Sequence, residues 1–226
     1  MTLSEPTRLR GRPPADAMHQ SQTRQRILQA AGKVYAHTGF HGLTLDMVAT
    51  EAGLSRPTLY KHFPDAAAIT EALLQELNNR LINAMQAVVN QTENPFQRMG
   101  MALLAWRQWG EAPDIAPLLP TLFAELHNPH SPASRHRQRT LAILGELVHA
   151  QLQTTDRSPA SPLAIDTLLQ GVEFLGYRFM LGQDHHPDRW QETLRLMLRL
   201  ALGLLGNRDD WQSAEQWAAR FGLTLD

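Results

Sequence analysis

Cysteine is absent from this chain of 226 residues. That excludes disulfides and thiolate metal sites, and it fits a reducing, cytoplasmic setting. No apolar run is long enough to span a bilayer: the longest, from Leu194 to Leu205, is broken by Arg195 and Arg199. The first residues lack the apolar centre of a secretory signal. No period-two alternation persists, so no strand is expected. A glycine-rich phosphate loop, a nucleophile elbow, an HExxH pair and paired carboxylates are also missing. Nothing therefore points to an enzyme or to a cofactor. Ten histidines are present, but His37, His41 and His62, and later His127, His130, His136 and His149, show no tight ligand spacing. They are read as solvated side chains, with no metal site expected.

A surplus of one charge is missing too, for the net charge is only −1. It is unevenly divided, however. Residues 1–63 carry eight Lys/Arg against four Asp/Glu, and residues 64–226 carry thirteen against eighteen. A basic head on an acidic body is the footprint of a nucleic-acid binder whose other half serves a different partner.

What is present is concentrated in the stretch from Thr44 to Phe63. Thr44 is placed to cap a short helix, with Asp46 near its positive end. Leu45, Val48, Ala49 and Ala52 share one face of it. Gly53 supplies the left-handed residue of a tight turn, and Leu54 pins that turn to a core. Ser55 caps a second helix, in which Pro57 occupies the tolerant first turn. Leu59 and Phe63 point inward. Arg56, Thr58, Tyr60 and Lys61 remain outside, near the end that a helix-turn-helix places in the major groove.

The segment from Ile27 to Phe63 resembles the DNA-binding head of the tetracycline-repressor (TetR) family of bacterial regulators. The residues that carry the resemblance are Ala30, Ala31, Tyr35, Gly39, Phe40, Thr44, Val48, Ala49, Ala52, Gly53, Ser55, Thr58, Leu59, Tyr60 and Phe63. The family usually has Lys three residues after that Phe; here Ala66 stands there, behind the acidic Asp65. The resemblance implies a homodimer that reads a near-palindromic operator in double-stranded DNA, and a body that encloses a pocket for a small-molecule effector. It also implies that Thr44, Tyr60 and His62 lie against the DNA backbone, and that the last two long helices form a four-helix dimer interface. Arg56 and Lys61 have the chemistry to bond guanine edges or phosphates, and Thr58 to meet a thymine methyl. Ser55 and Pro57 complete the DNA-facing set. An architectural DNA-binding protein without an effector is the alternative, and an enzyme a more distant one.

The chain divides into a flexible basic arm over 1–20, the helix-turn-helix domain over 21–66, and a helical ligand-binding and dimerisation domain over 67–226. In the arm, Arg10-Gly11-Arg12-Pro13 resembles the core of an AT-hook. An extended Arg-Gly-Arg lets Arg10 and Arg12 enter a narrow minor groove. The first helix is expected over residues 21–38, and a long one after Pro64-Asp65. The expected class is all-α, with about nine or ten helices. Met99, Leu103, Trp106, Trp109, Phe123 and Leu126 are the candidate pocket lining. The two late helices are apolar on more than one side, which calls for cover on more than one side. Leu168, Val172, Leu175, Leu194, Met197, Leu198, Ala201 and Leu205 are the candidate dimer face.

Overall fold

The computed structural model describes residues 15–89, 94–153, 160–182, 187–220 and 222–225. Among them there is no strand, and the order is α1 (Ala15–Gly42), α2 (Leu45–Ala52), α3 (Arg56–His62), α4 (Ala66–Val89) and α5 (Pro95–Gly110). A single 3-10 turn (Ala116–Leu118) leads into α6 (Leu119–Leu126). Then come α7 (Pro132–Gln153), α8 (Pro162–Met180), α9 (Pro187–Leu205) and α10 (Arg208–Ala219). The all-α expectation is met. Among the described residues no helix is long and apolar enough to cross a membrane.

The helix boundaries arise from local chemistry. Thr44 accepts from the Met47 N–H at 3.3 Å, and Ser55 accepts from the Thr58 N–H at 3.3 Å, so both short helices carry the expected caps. Gly53 lies at φ 60°, the left-handed turn that a side chain would strain. Asp65 Oδ1 accepts from the Ala68 N–H at 2.7 Å and starts α4. Asn94 accepts from the Phe96 and Gln97 N–H groups and starts α5. Asn207 and Asp210 form a reciprocal capping box, so α10 begins at Arg208. α1 also begins early, at Ala15. Ser21 therefore lies inside a helix, and residues 15–20 are helical where an arm was expected.

In the head, α1 packs on α2, and α2 on α3. Ile27, Ala31 and Tyr35 of α1 meet Val48, Leu59 and Phe63 in a fully buried cluster. Arg24 lies over the Phe63 ring at 4.4 Å, and Lys33 pairs with Glu51 at 2.8 Å. In the body, α4 packs along α5 and α7, α8 pairs with both α7 and α9, and α10 lies over α5. Trp217 of α10 fills the notch left by Gly100. The head touches the body through α1 against α4 and through α1 against α6.

Candidate DNA-binding and effector sites

Two sites emerge, one in each half. In the head, Arg56, Pro57, Tyr60 and Lys61 are exposed along the outer side of α3, while Leu59 on its inner side is fully buried. Tyr60 is 56% exposed, a large ring left in water by an otherwise well-packed head. Thr58 is half-buried, and its hydroxyl meets that of Ser55 at 2.8 Å. His62 is half-buried and closes the helix; His37 and His41 are exposed. Arg56 is not a lone cation: its guanidinium pairs with the Asp46 carboxylate at the start of α2. That pair sets the side chain across the turn. It was missed because a separation of ten residues in sequence hides how closely the two helix N-termini approach. Arg10 and Arg12 lie outside the described residues.

In the body, a cavity of about 210 Å³ runs between α4, α5, α7 and α8, with α6 at one end. Met99, Leu103, Trp106, Trp109 and Leu126 line it. Phe123 does not; it stacks behind the wall on Tyr177, 5.0 Å between centroids. The cavity has polar members that the apolar stripes did not reveal. Arg137 directs Nε and Nη2 at one Glu173 oxygen, at 2.7 and 2.6 Å, with both side chains largely buried. Burial, and then the Glu173 charge, push the Tyr177 phenol well above its ordinary range, so it stays protonated.

His136 also lines the cavity, and the expectation of a solvated ring fails for it. Only 3% of it is exposed. Its Nδ1 lies 3.1 Å from the Asn78 side-chain nitrogen, and its Nε2 lies 2.9 Å from Glu71. An amide nitrogen can only donate, so with Nδ1 accepting, the proton of the neutral ring sits on Nε2, near the Glu71 carboxylate but out of line for a hydrogen bond. Desolvation lowers the His136 pKa against the pull of Glu71. These partners lie on another helix, so local spacing carried no sign of them. Among the described residues, no group of three or more His, Asp or Glu could hold a metal.

The expected dimer face needs a larger correction. Leu168, Leu194, Met197, Leu198 and Ala201 are buried within the single chain, each at 2% exposure or less. They cannot meet a partner. Leu168, Val172 and Leu205 line the cavity, and Leu175 packs against the chain's own core. The stronger apolar stripe of each helix faces inward, and the weaker one faces out. Leu163, Phe174, Leu196 and Leu204 are the large apolar side chains exposed on α8 and α9.

One junction joins the two sites. Glu125 of α6 accepts from the Tyr35 hydroxyl at 2.6 Å, from the Phe40 N–H at 2.8 Å and from the Ser131 hydroxyl at 2.8 Å. Thr121 donates to the Ala36 carbonyl at 2.7 Å. Gly39, at φ 65°, breaks α1 at this point, and a Cβ there would sit 2.5 Å from the Glu125 carboxylate. Burial, and then the Glu125 carboxylate, raise the Tyr35 pKa far above its ordinary value, so the phenol remains a donor. Leu122 and Leu126, on the same helix as Glu125, line the cavity. The helical pattern assigns Tyr35 to the core, and nothing near it points to Glu125, 90 residues away.

These observations define a helix-turn-helix head tied to a hollow helical body. Residues 27–73 match the family of bacterial regulatory proteins called the tetR family. The head of this chain is a tetR-family DNA-binding head. Over 87 residues the chain is 30% identical to the HTH-type transcriptional activator FasR of Mycolicibacterium smegmatis, covering 38% of this chain and 40% of that protein. Over 85 residues it is 27% identical to the nucleoid occlusion factor SlmA of Vibrio atlanticus, covering 37% and 43%. The chain thus spans about two fifths of the curated relatives it matches. The whole fold is similar to that of the fatty acid degradation regulator FadR from Bacillus halodurans. The TM-score is 0.65 at 18% identity, covering 82% of this chain and 97% of that one.

Proposed function

We propose that this protein is an effector-responsive transcriptional regulator that binds a near-palindromic operator as a homodimer and leaves it when a small, mainly apolar molecule fills the body. The observation that carries the proposal is the Glu125 junction, because it ties the head helix α1 to the helix that walls the cavity. A ligand that displaces Leu122 or Leu126 must shift α6, and α6 holds α1 through hydrogen bonds to one carboxylate. Coupling of this kind needs an element that both sites bias, and α6 touches both. The structural likeness to a fatty acid degradation regulator fits a body of this shape.

On DNA, Tyr60, Lys61, Arg56, Thr58, Ser55, Pro57, Thr44 and His62 form the contact surface, and Arg10 and Arg12 reach the adjoining minor groove. Arg56 exchanges Asp46 for a phosphate or a guanine on binding. A second copy covers Leu163, Phe174, Leu196 and Leu204. The second reading is architectural binding without an effector. It is favoured by the nucleoid occlusion factor among the relatives with a similar head. Selection of bound duplexes from a random library, then footprinting, separates the two. A discrete protected palindrome supports the regulator. Protection without a common site supports the architectural protein.

A further inference from the structure

With the cavity read as the effector site, its shape and its polar groups restrict what it holds. Lining residues run from Leu74 to Val89 on α4 and from Ala133 to Leu152 on α7. At 1.5 Å per residue these spans are about 22 Å and about 28 Å. A volume of about 210 Å³ drawn out over such a length is a narrow slot. The slot has a blind end and a mouth. Leu74, Leu126 and Ala133 at the end nearer the head are buried, whereas Gln86 and Leu147 toward the other end are exposed. A compact ring would leave most of the slot empty, and a linear chain would fill it.

Polar side chains line both ends: Gln86, Arg98 and Gln151 toward the mouth, and Trp109 farther in. Trp109, more than nine-tenths buried, has an indole Nε1–H with no acceptor. A buried donor without a partner is unfavourable, so a ligand that supplies an acceptor there gains what the free protein forgoes. The Arg137–Glu173 pair, on α7 and α8, lines the same slot. That pair is already neutral. A carboxylate inserted here would meet Glu173 in a poorly solvated space, and an ammonium would meet Arg137. An uncharged oxygen has neither conflict. It can accept from the indole N–H without meeting a like or unpaired charge.

We infer, resting on that reading of the cavity, that the slot takes a linear aliphatic molecule, seated head inward, whose buried end is an uncharged oxygen held by the Trp109 N–H, in a slot whose inner charges, Arg137 and Glu173, are already paired. Long-chain alcohols, aldehydes and esters share this chemistry.

Calorimetric titration of the full-length protein tests it with four probes: dodecanol, dodecanoate, dodecylammonium and cyclododecanol. Dodecanol should bind, and each of the other three should bind at least about tenfold more weakly. Trp109→Phe, which keeps an aromatic ring and removes the donor, should weaken dodecanol binding about tenfold. Dodecanoate binding as tightly as dodecanol, cyclododecanol binding equally well, or an unchanged dodecanol affinity in Trp109→Phe would each overturn the inference. If Trp109→Phe does not fold, the alcohol-to-carboxylate ratio of the wild-type protein decides. The same samples are assayed for operator binding. Operator release by dodecanoate or cyclododecanol without dodecanol binding overturns the slot chemistry and leaves the effector function standing. Tight dodecanol binding with no change in operator affinity supports the slot chemistry and overturns the effector function.

Discussion

The head and the body use the same material, amphipathic helices, in opposite ways. In the head, α1 to α3 close on a solid cluster around Ile27, Tyr35, Val48 and Leu59, and the working surface is what remains outside. In the body, α4 to α8 close around a space, and the proposed effector site is inside. A solid core with an outward site can be specified by neighbours in sequence: a cap, a glycine turn, an apolar face and its opposite. A hollow core with an inward site depends on residues that meet across several helices. The comparison predicts that changes on the outer face of the head alter DNA binding and leave the body intact, and that changes at the junction alter both.

The largest expected effect lies on the outer face of the body. Phe174→Glu combined with Leu196→Glu replaces exposed apolar side chains and leaves the chain's own core untouched. Sedimentation should report a folded monomer. Operator affinity should fall roughly a hundredfold or more, because two linked heads bind far more tightly than one. Persistence of the dimer would place the interface elsewhere.

Next in size is Tyr60→Ala. Loss of a DNA contact from the exposed face of α3 should cost about 1–3 kcal/mol of operator affinity. Thermal stability and cavity binding should not change, since Tyr60 packs on neither. An unchanged operator affinity at matched salt would move the DNA surface off α3. Asp46→Asn should act in the opposite direction and more weakly. It frees Arg56 and removes a carboxylate from the DNA-facing side, so affinity for any duplex should rise a few-fold, most at low salt. Weaker binding would mean that Asp46 is needed to orient Arg56.

The contrast also explains what could be read from the chain alone. Thr44, Gly53, Ser55 and Leu59 act on residues within a few positions, so the helix-turn-helix and its exposed side chains were legible. The five lining residues of α5 and α6 were legible because a large apolar stripe marks a wall, whether the wall encloses a core or a cavity. Phe123 shares that stripe and sits behind it. Glu173, Arg137, His136 and Glu125 were not legible, since each is defined by a partner on a different helix. Most of the residues expected at the dimer face are buried in the chain's own core for a related reason. The two-sided apolar pattern of α8 and α9 was recognised, but Met197 and Leu198 form the stronger stripe, and the stronger stripe faces inward. Phe174 and Leu196, the weaker set, are left outside.

The smallest effect concerns His136, faced by Glu71, Asn78, Arg135 and Arg139. Its folded pKa lies below the ordinary value of 6.5. The folded state therefore resists protonation. The stabilising contribution is present above the unfolded pKa and is lost as pH falls through the folded one. The thermal midpoint should decline on acidification from about pH 8 to about pH 5, and His136→Gln should remove part of that decline. An identical pH profile in the variant would show that other groups carry it.

The central claim is that the hold of α6 on α1, through one carboxylate, sets how well the head fits DNA. Operator affinity of Glu125→Gln tests it most directly, measured by fluorescence anisotropy on a duplex selected by the wild-type protein, with helical content and dimerisation checked at the same temperature. The variant keeps the size of the side chain and the whole of α3, but it loses the charge that accepts from Tyr35, Phe40 and Ser131. Hydrogen bonds to a charged group contribute about 1.5–3 kcal/mol each. The account predicts a fall in operator affinity of about tenfold or more in a folded dimer, with Tyr35→Phe falling in the same direction by less. A folded, dimeric Glu125→Gln protein that binds the operator as tightly as the wild type would contradict it.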